Sequence, residues 1–274
     1  MANAKVFVER TEDREVRKPF LTGSAFDERT VRNGLFFFGT LIMVFFIAFI
    51  ACATATFDSM ILRLLMNAAV IILILFIFFS NGSRRGTEDV AKGEILWQKK
   101  ERGQPFSDSE RKVCFHPMKG YIIGLIGSSL FIILAVYLAL NTTRQMTGSG
   151  TLPSCMQAYA GRSDIGNALI NYTRPEGMGM TDYIRAAVRI MILPYVNIVG
   201  SSNSTGILVV ERLSPFILLL PAAAYGTGYL SGRKVRTRIH TAISENDRKR
   251  IRREKRKKAE RTSTARSRGP EQLN

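Results

Sequence analysis

The chain has 274 residues and a formal net charge of +17, and 46% of its residues are hydrophobic. The apolar residues are concentrated in four blocks rather than spread along the chain, which argues against an ordinary soluble globular domain. With only two histidines and three cysteines, placed in separate segments, the sequence offers neither a metal-ligating cluster nor a disulfide framework, so we expect no cofactor.

The four apolar blocks are long enough to cross a bilayer as helices. We predict spans 1 and 2 within residues 35–80, span 3 within 119–140 and span 4 within 214–231. A helix rises about 1.5 Å per residue, so roughly 20 residues cross the hydrocarbon layer of about 30 Å. The sequence therefore predicts an all-α polytopic membrane protein with four transmembrane helices.

The distribution of positive charge predicts the orientation of these spans. Residues 1–34 contain seven Lys or Arg, residues 81–119 contain nine and residues 232–274 contain sixteen. Because Lys and Arg close to span ends remain on the cytoplasmic side, we predict that the N-terminal segment 1–34, the loop 81–118 and the basic tail 232–274 are all cytoplasmic. We expect the protein in the cytoplasmic (plasma) membrane, as a multi-pass protein with both termini inside.

Spans 1 and 2 are separated by only a few residues, 57–59, so we predict a tight antiparallel hairpin. Near the outer end of span 2, Arg63 and Asn67 are four residues apart and therefore share one helix face. Two interpretations of this pair stay open. Either Arg63 extends to the outer headgroups, or Arg63 and Asn67 face an outward-open polar cavity that binds a ligand.

The cytoplasmic loop 81–118 contains two helix-start signals. One predicts a helix over 87–102, and the capping-box pattern of Ser107 with Glu110 predicts a second, short helix. In the spans that follow, small residues recur at a spacing of four, which lets helices approach closely. The spacing predicts that spans 3 and 4 are the closest pair, and the same helix faces could bind a membrane-protein partner. These small residues are Gly120, Gly124 and Ser128 in span 3 and Ala224, Gly228 and Gly232 in span 4.

Residues 141–213 are predicted to form an extracytoplasmic segment with an interfacial helix near 182–199. Two arginines and Pro194 argue against a fifth span, because a charge at a helix centre costs about 2.5 to 3.5 kcal/mol on insertion scales. Arg185 and Arg189 fall on one side of this helix. We predict that they contact lipid phosphate, with an anionic ligand as the alternative.

Span 4 is predicted to start at Ser214, with Pro215 in the first helical position. Pro221 should kink it. Beyond the span, Ser244 predicts the start of a separate helix that carries most of the tail's charge. Its candidate phosphate contacts are Arg248, Lys249, Arg250, Arg252, Arg253, Lys255, Arg256, Lys257 and Lys258. We expect the cluster to bind anionic inner-leaflet lipid, with RNA or a plain solvated charge run as the alternatives, and the near absence of aromatic residues argues against specific DNA or base recognition.

No catalytic motif is present, neither a phosphate-binding loop of the G-x-x-x-x-G-K-[ST] type nor H-E-x-x-H or G-x-S-x-G, and no acidic residue lies inside a predicted span. An enzyme is therefore not expected, although dispersed catalytic residues stay open. We carry two hypotheses. The first is a non-catalytic membrane accessory or scaffold protein whose basic tail binds anionic lipid or RNA. The alternative is a small permease, channel or transport-complex subunit with an outward-facing polar cavity near Arg63 and Asn67.

Overall fold

The computed structural model describes residues 16–54, 59–142, 179–200 and 203–267, and single positions between 156 and 165. Most of residues 143–178, which belong to the predicted extracytoplasmic segment 141–213, therefore lie outside the described residues. Within the described part every regular element is a helix. Their bounds are α1 Glu28–Thr54, α2 Met60–Glu101, α3 Asp108–Lys112, α4 Lys119–Asn141, α5 Met180–Met191, α6 Leu193–Val199 and α7 Ser204–Ser267.

Four of these helices, α1, α2, α4 and α7, are long and apolar enough to cross a membrane. The predicted fold class is thus confirmed. We call the end of the bundle where α1 begins and α2 ends the basic end, and the other the opposite end. The helix α7 lies between α2 and α4 and packs extensively on both, while α1 packs on α4.

The core of the bundle is aromatic and aliphatic. Phe37 on α1 joins three helices, with its ring centroid 5.0 Å from that of Phe78 on α2 and 5.2 Å from that of Tyr225 on α7. Leu41 and Ile123, on α1 and α4, are buried in the same cluster. Burial of these side chains against one another holds the four long helices in register.

The predicted loop 81–118 is largely helical. The helix α2 continues without interruption from Met60 to Glu101, so the helix expected over 87–102 is its last part rather than a separate element. The second signal is confirmed, because Ser107 precedes α3 and its hydroxyl accepts a hydrogen bond from the backbone N–H of Ser109. The chain crosses 81–86 as a helix because α7 packs directly against this stretch.

The predicted tight hairpin of spans 1 and 2 is wrong. The helices α1 and α2 contact each other only lightly, and the short α6 packs against both of them at the opposite end. There Asn197 on α6 donates a hydrogen bond to the backbone carbonyl of Cys52 on α1, at 3.3 Å. A short connection limits the distance between two helix ends, but it does not oblige the helices to pack along their length.

The last helix starts earlier and ends later than expected. It begins at Ser204, so Ser214 and Pro215 lie inside it and the predicted cap is wrong. The Ser214 hydroxyl instead donates to the carbonyl of Glu211, at 2.7 Å, within the helix. There is also no separate start at Ser244, because α7 runs on as 64 residues to Ser267, about 96 Å at 1.5 Å per residue.

The closest helix pair is α2 with α7, not α4 with α7 as predicted. A Cβ atom added to Gly82 or to Gly228 would lie 2.1 Å from a backbone carbonyl oxygen of the other helix. On α4, Gly120 and Gly124 do face α7, but the nearest atoms there belong to Tyr229 and Ala222 and are 2.5 and 2.9 Å from the added Cβ. Small residues at a spacing of four do occur where α4 and α2 contact α7. The tighter of the two contacts is the one with α2, through Gly82 and Gly86.

Candidate functional site

At the opposite end, Arg63 and Asn67 contribute to helix packing. Asn67 is buried, with 3% of its surface exposed, and its amide donates to the backbone carbonyl of Arg63 at 2.7 Å. The Arg63 guanidinium lies against Gly200, which ends α6 with a φ of 87°. A Cβ at Gly200 would be only 3.1 Å from a guanidinium nitrogen, so glycine is needed there both for the backbone and for the close approach. A ligand-binding role of the pair stays a prediction.

The two arginines of the predicted interfacial helix contact the carboxylate of Glu211 on α7. The segment is two helices, α5 and α6, which meet at Ile192. From α5, Arg189 donates to Glu211 on α7 at 2.6 Å, and the Arg185 guanidinium lies 3.4 Å from the same carboxylate. Thr142, just after α4, donates to Glu211 and accepts from Arg185 at 3.2 Å.

This cluster, which we call the Glu211 clamp, ties α4, α5 and α7 together. Glu211 is 1% exposed and Arg185 is 5% exposed. A buried charge is tolerated when it is paired and hydrogen-bonded, as each of these is. Contact of Arg185 and Arg189 with lipid stays a prediction. Their position on the same side of α5 is explained by their shared partner, Glu211. One signal in the sequence marked Glu211: it is a lone carboxylate directly after four apolar residues, 207–210.

At the basic end, buried ion pairs connect the ends of the helices. The Lys119 ammonium, at the start of α4, is fully buried and lies 2.8 Å from the carboxylate of Asp27, which precedes α1. Two backbone carbonyls, of Lys112 and Val113, also accept from it. Burial alone would raise the pKa of Asp27, but the hydrogen bonds from Lys119 and Thr30 outweigh it and hold that pKa below its ordinary value.

The helices α2 and α7 share two further polar contacts at this end. The Tyr229 hydroxyl donates to Asp89 at 2.8 Å, and the Glu94 carboxylate binds both Arg236 at 2.9 Å and His240 at 2.8 Å. Asp89, Glu94, Tyr229 and His240 are all buried. The contacts of Glu94 lie past the apolar blocks that end at 80 and 231, so α2 and α7 extend beyond those blocks as a two-helix stalk.

The N-terminal segment lies over the same end of the bundle. Its backbone N–H groups at Leu21 and Gly23 donate to the carbonyls of Gly93 and Phe115, at 3.1 and 3.0 Å. The Val16 N–H donates to the hydroxyl of Thr241 on α7. The described part of the predicted N-terminal segment 1–34 is thus attached to α2, to the loop before α4 and to α7.

The basic cluster of the tail begins where the stalk ends. The helices α2 and α7 run parallel, and Glu94 on α2 lies beside His240 on α7, 146 positions later in the chain. With the same offset, Glu101 at the end of α2 is level with residue 247 on α7. Every side chain from 248 to 258 is exposed. We call residues 248–258 the basic arm. It contains nine Lys or Arg, one Glu and one Ile, and it continues α7 past the end of its partner helix.

Comparison with protein-family models, with curated proteins and with solved structures finds no match. The described residues contain no group of three or more His, Cys, Asp or Glu side chains that could hold a metal ion. The site chemistry therefore consists of buried ion pairs inside the bundle and of concentrated positive charge on the basic arm.

Proposed function

We propose that the chain is a non-catalytic membrane scaffold that holds the basic arm in the cytoplasm, where the arm binds RNA through its phosphates. The single observation that supports this most is the continuity of α7 from the opposite end of the bundle to Ser267. A helix that crosses the bilayer and continues unbroken projects away from the membrane surface.

The distance of the arm from the bilayer favours RNA over lipid as its partner. Arg233 and Lys234 directly follow the apolar block, which puts the headgroup layer near Gly232. From Gly232 the helix rises about 24 Å to Arg248 and about 39 Å to Lys258, and a tilt of roughly 20° lowers these heights by less than a tenth. At physiological ionic strength the Debye length is about 8 Å, so headgroup charge is screened at that height.

The composition of the arm suits a phosphate backbone and not bases. Its nine cations are distributed around the whole circumference of the helix, and no aromatic side chain lies among them to stack on a base. Lys and Arg that neutralise phosphates release counterions, so affinity should fall steeply with salt and depend little on sequence.

The cytoplasmic placement of the arm follows from the charge distribution. The tail 232–274 contains sixteen Lys or Arg against five acids, and such segments stay on the side of synthesis. We expect a reporter fused after Asn274 to be active only in the cytoplasm. Activity on the far side of the membrane would refute the orientation, and with it the proposed partner.

Binding is tested with the full chain in nanodiscs of zwitterionic lipid, which leave both faces accessible, and a short fluorescent RNA duplex. One variant carries Arg252→Gln, Arg253→Gln and Arg256→Gln. The matched control removes three exposed cations elsewhere, through Arg212→Gln, Lys234→Gln and Arg238→Gln. Between about 50 and 200 mM salt, the arm variant should lower the slope of log affinity against log salt by roughly two to three, and the control by less than one.

An equal effect of the two variants would refute recognition by the arm. A second measurement tests lipid as the alternative partner. A nitroxide is attached at Ile251→Cys, and the protein is placed in nanodiscs that contain anionic lipid. We expect little relaxation by a paramagnetic reagent attached to headgroups. Strong relaxation would place the arm on the leaflet and replace RNA by lipid as the partner. The described contacts of Arg63 and Asn67 are packing contacts, and the transport alternative is not developed from them.

A further inference from the structure

A cleft lies between α1 and α2 toward the basic end. Its volume is about 280 Å³. The rings of Phe37, Phe78 and Tyr225 line its inner part, and polar side chains from both helices line the rest. The cleft has an apolar floor and a polar mouth, so it matches a ligand with one apolar part and one polar part.

The most informative polar group in the cleft is the Asn33 carboxamide. Asn33 is 6% exposed and borders the cavity. Among the described residues no side chain or backbone group forms a hydrogen bond with this carboxamide. The protein does not enclose the polar atoms of this carboxamide, so they face the cavity and can form hydrogen bonds with an atom from outside the chain.

The opposite wall of the cleft carries two guanidinium groups. Arg84 and Arg85 both pair with Glu88, at 3.4 and 3.2 Å, and two cations against one carboxylate leave one positive charge. Their side chains are 82% and 35% exposed, so both can turn toward a ligand. Guanidinium groups bind phosphate oxygens with paired hydrogen bonds, and the remaining charge matches one phosphodiester.

The depth of the cleft points to a lipid and not to a soluble anion. Asn33 and Asn81 lie just beyond the ends of the apolar blocks that start at 35 and end at 80, at the level of headgroups. The aromatic floor lies within the apolar blocks, whose length matches the hydrocarbon layer, and Phe36 beside it is 65% exposed. An apolar wall next to a phosphate-binding rim is useful only to a ligand with an acyl chain.

We propose that this cleft binds one anionic glycerophospholipid from the leaflet at the basic end. Its phosphate lies between Asn33, Arg84 and Arg85, and the upper part of one acyl chain lies on Phe36 and Phe37. The volume is slightly below that of small-molecule sites, about 300 to 1,000 Å³, so the cleft holds the headgroup end and leaves the chains along α1 and α2. The site is separate from the basic arm and does not depend on RNA binding.

The test measures lipid retention by the purified full chain in mild detergent, by native mass spectrometry with added phosphatidylglycerol or phosphatidylcholine. We expect one phosphatidylglycerol to be retained with roughly tenfold preference. The variant Asn33→Asp puts a negative charge in the mouth, and Arg84→Gln with Arg85→Gln removes the two guanidiniums. Each should abolish the preference, while the exposed controls Arg212→Gln and Lys234→Gln should retain it.

Asn33→Leu is included because a leucine is well tolerated in a membrane helix and leaves the charge unchanged. Loss of the retained phosphatidylglycerol in this variant, with an unchanged melting temperature, separates a specific site from general attraction of anionic lipid to positive charge. The proposal is overturned if both lipids are retained equally, if the controls lose the preference as the cleft variants do, or if no lipid is retained. It is also overturned if glycerol phosphate displaces phosphatidylglycerol at equal concentration, because the site would then bind a soluble anion.

Discussion

The carboxylate of Glu211 on α7 and the guanidinium of Arg189 on α5 lie 2.6 Å apart, at the end of the bundle opposite to the basic arm. Glu211 is separated from Arg189 by 22 positions and from Thr142 by 69. One carboxylate thus fixes the positions of two other helices relative to α7. Arg185 also pairs with Asp182 on its own helix, at 3.1 Å.

We predict that Glu211→Gln destabilises the protein strongly. Removing one partner of a buried ion pair costs about 3 to 5 kcal/mol in general, because the other charge stays buried, and here the buried Arg185 loses the Glu211 charge while it keeps Asp182. The measurement is thermal unfolding in detergent, followed by circular dichroism. The neighbouring Arg212 is exposed, and Arg212→Gln is the control, with an expected change within about 0.5 kcal/mol. Equal melting temperatures of the two variants would show that the clamp does not stabilise the fold.

Two glycine substitutions should differ in their effect on stability, because one glycine is tightly packed and the other faces open space. A Cβ at Gly82 would lie 2.1 Å from the carbonyl oxygen of Tyr225, and backbone cannot move aside as a side chain does. Gly82→Ala should therefore cost about 1 to 3 kcal/mol, as overpacking does. At Gly39 on α1 a Cβ would meet nothing within 4 Å, so Gly39→Ala should be neutral or stabilise by up to about 1 kcal/mol. The same thermal measurement compares the two, and a tolerated Gly82→Ala would contradict the close packing of α2 and α7.

The parts of the fold that depend on local sequence could be predicted, and those that depend on a distant partner could not. Apolar length alone identified four spans, and the Ser107 signal identified α3. The sequence predicts a loop for the stretch with Gly82 and Gly86, because glycine disfavours a helix in isolation. The facing α7 makes a helix favourable there.

The candidate site shows the same limit. The common side of Arg185 and Arg189 could be predicted from helix geometry, but its partner Glu211 lies on another helix and its position depends on the tertiary fold. Asn33 is an ordinary polar residue at the start of a span in the sequence. It is informative only because the tertiary fold leaves a cavity beside it.

The pair of Asp27 and Lys119 should make stability depend on pH in the acid range. The pKa of Asp27 in the folded state lies below its unfolded value, so the ionised form contributes stability above about pH 4, and this contribution is lost as pH falls through the folded-state pKa. We expect Asp27→Asn to be less stable than the unsubstituted protein at pH 7. The difference should shrink at lower pH.

The measurement for this pair is a series of melting temperatures from pH 3 to pH 7, a range set by the ordinary carboxylate pKa of about 3.9. The control is Glu254→Gln, an exposed carboxylate on the basic arm with a long contact of 3.9 Å to Arg250. That variant should show no such convergence. A constant difference between Asp27→Asn and the unsubstituted protein at all pH values would contradict the assigned ion pair.

Cys114 should react slowly with thiol reagents in the folded protein. It is fully buried, and burial raises the pKa of its thiol, an effect to which the negative charge of Asp89 adds. The reactive thiolate is therefore scarce near neutral pH. In a variant with Cys52→Ala and Cys155→Ala, maleimide labelling should stay slow until the protein unfolds. The single-cysteine variant with Ser109→Cys, made in the same background with Cys114→Ala, is an exposed control and should label rapidly; equal rates would contradict the burial of Cys114.

The uninterrupted course of α7 has a consequence for anything that the arm captures. Its backbone is pressed against α2 at Gly82 and Gly86, and its far end is held by the Glu211 clamp, so α7 has two points of support. An RNA bound by the arm as proposed would therefore be held at a fixed distance from the bilayer, about 24 Å at its nearest, instead of being drawn down onto it. Lengthening or shortening α7 beyond His240 by whole turns would reset that height without altering the charge.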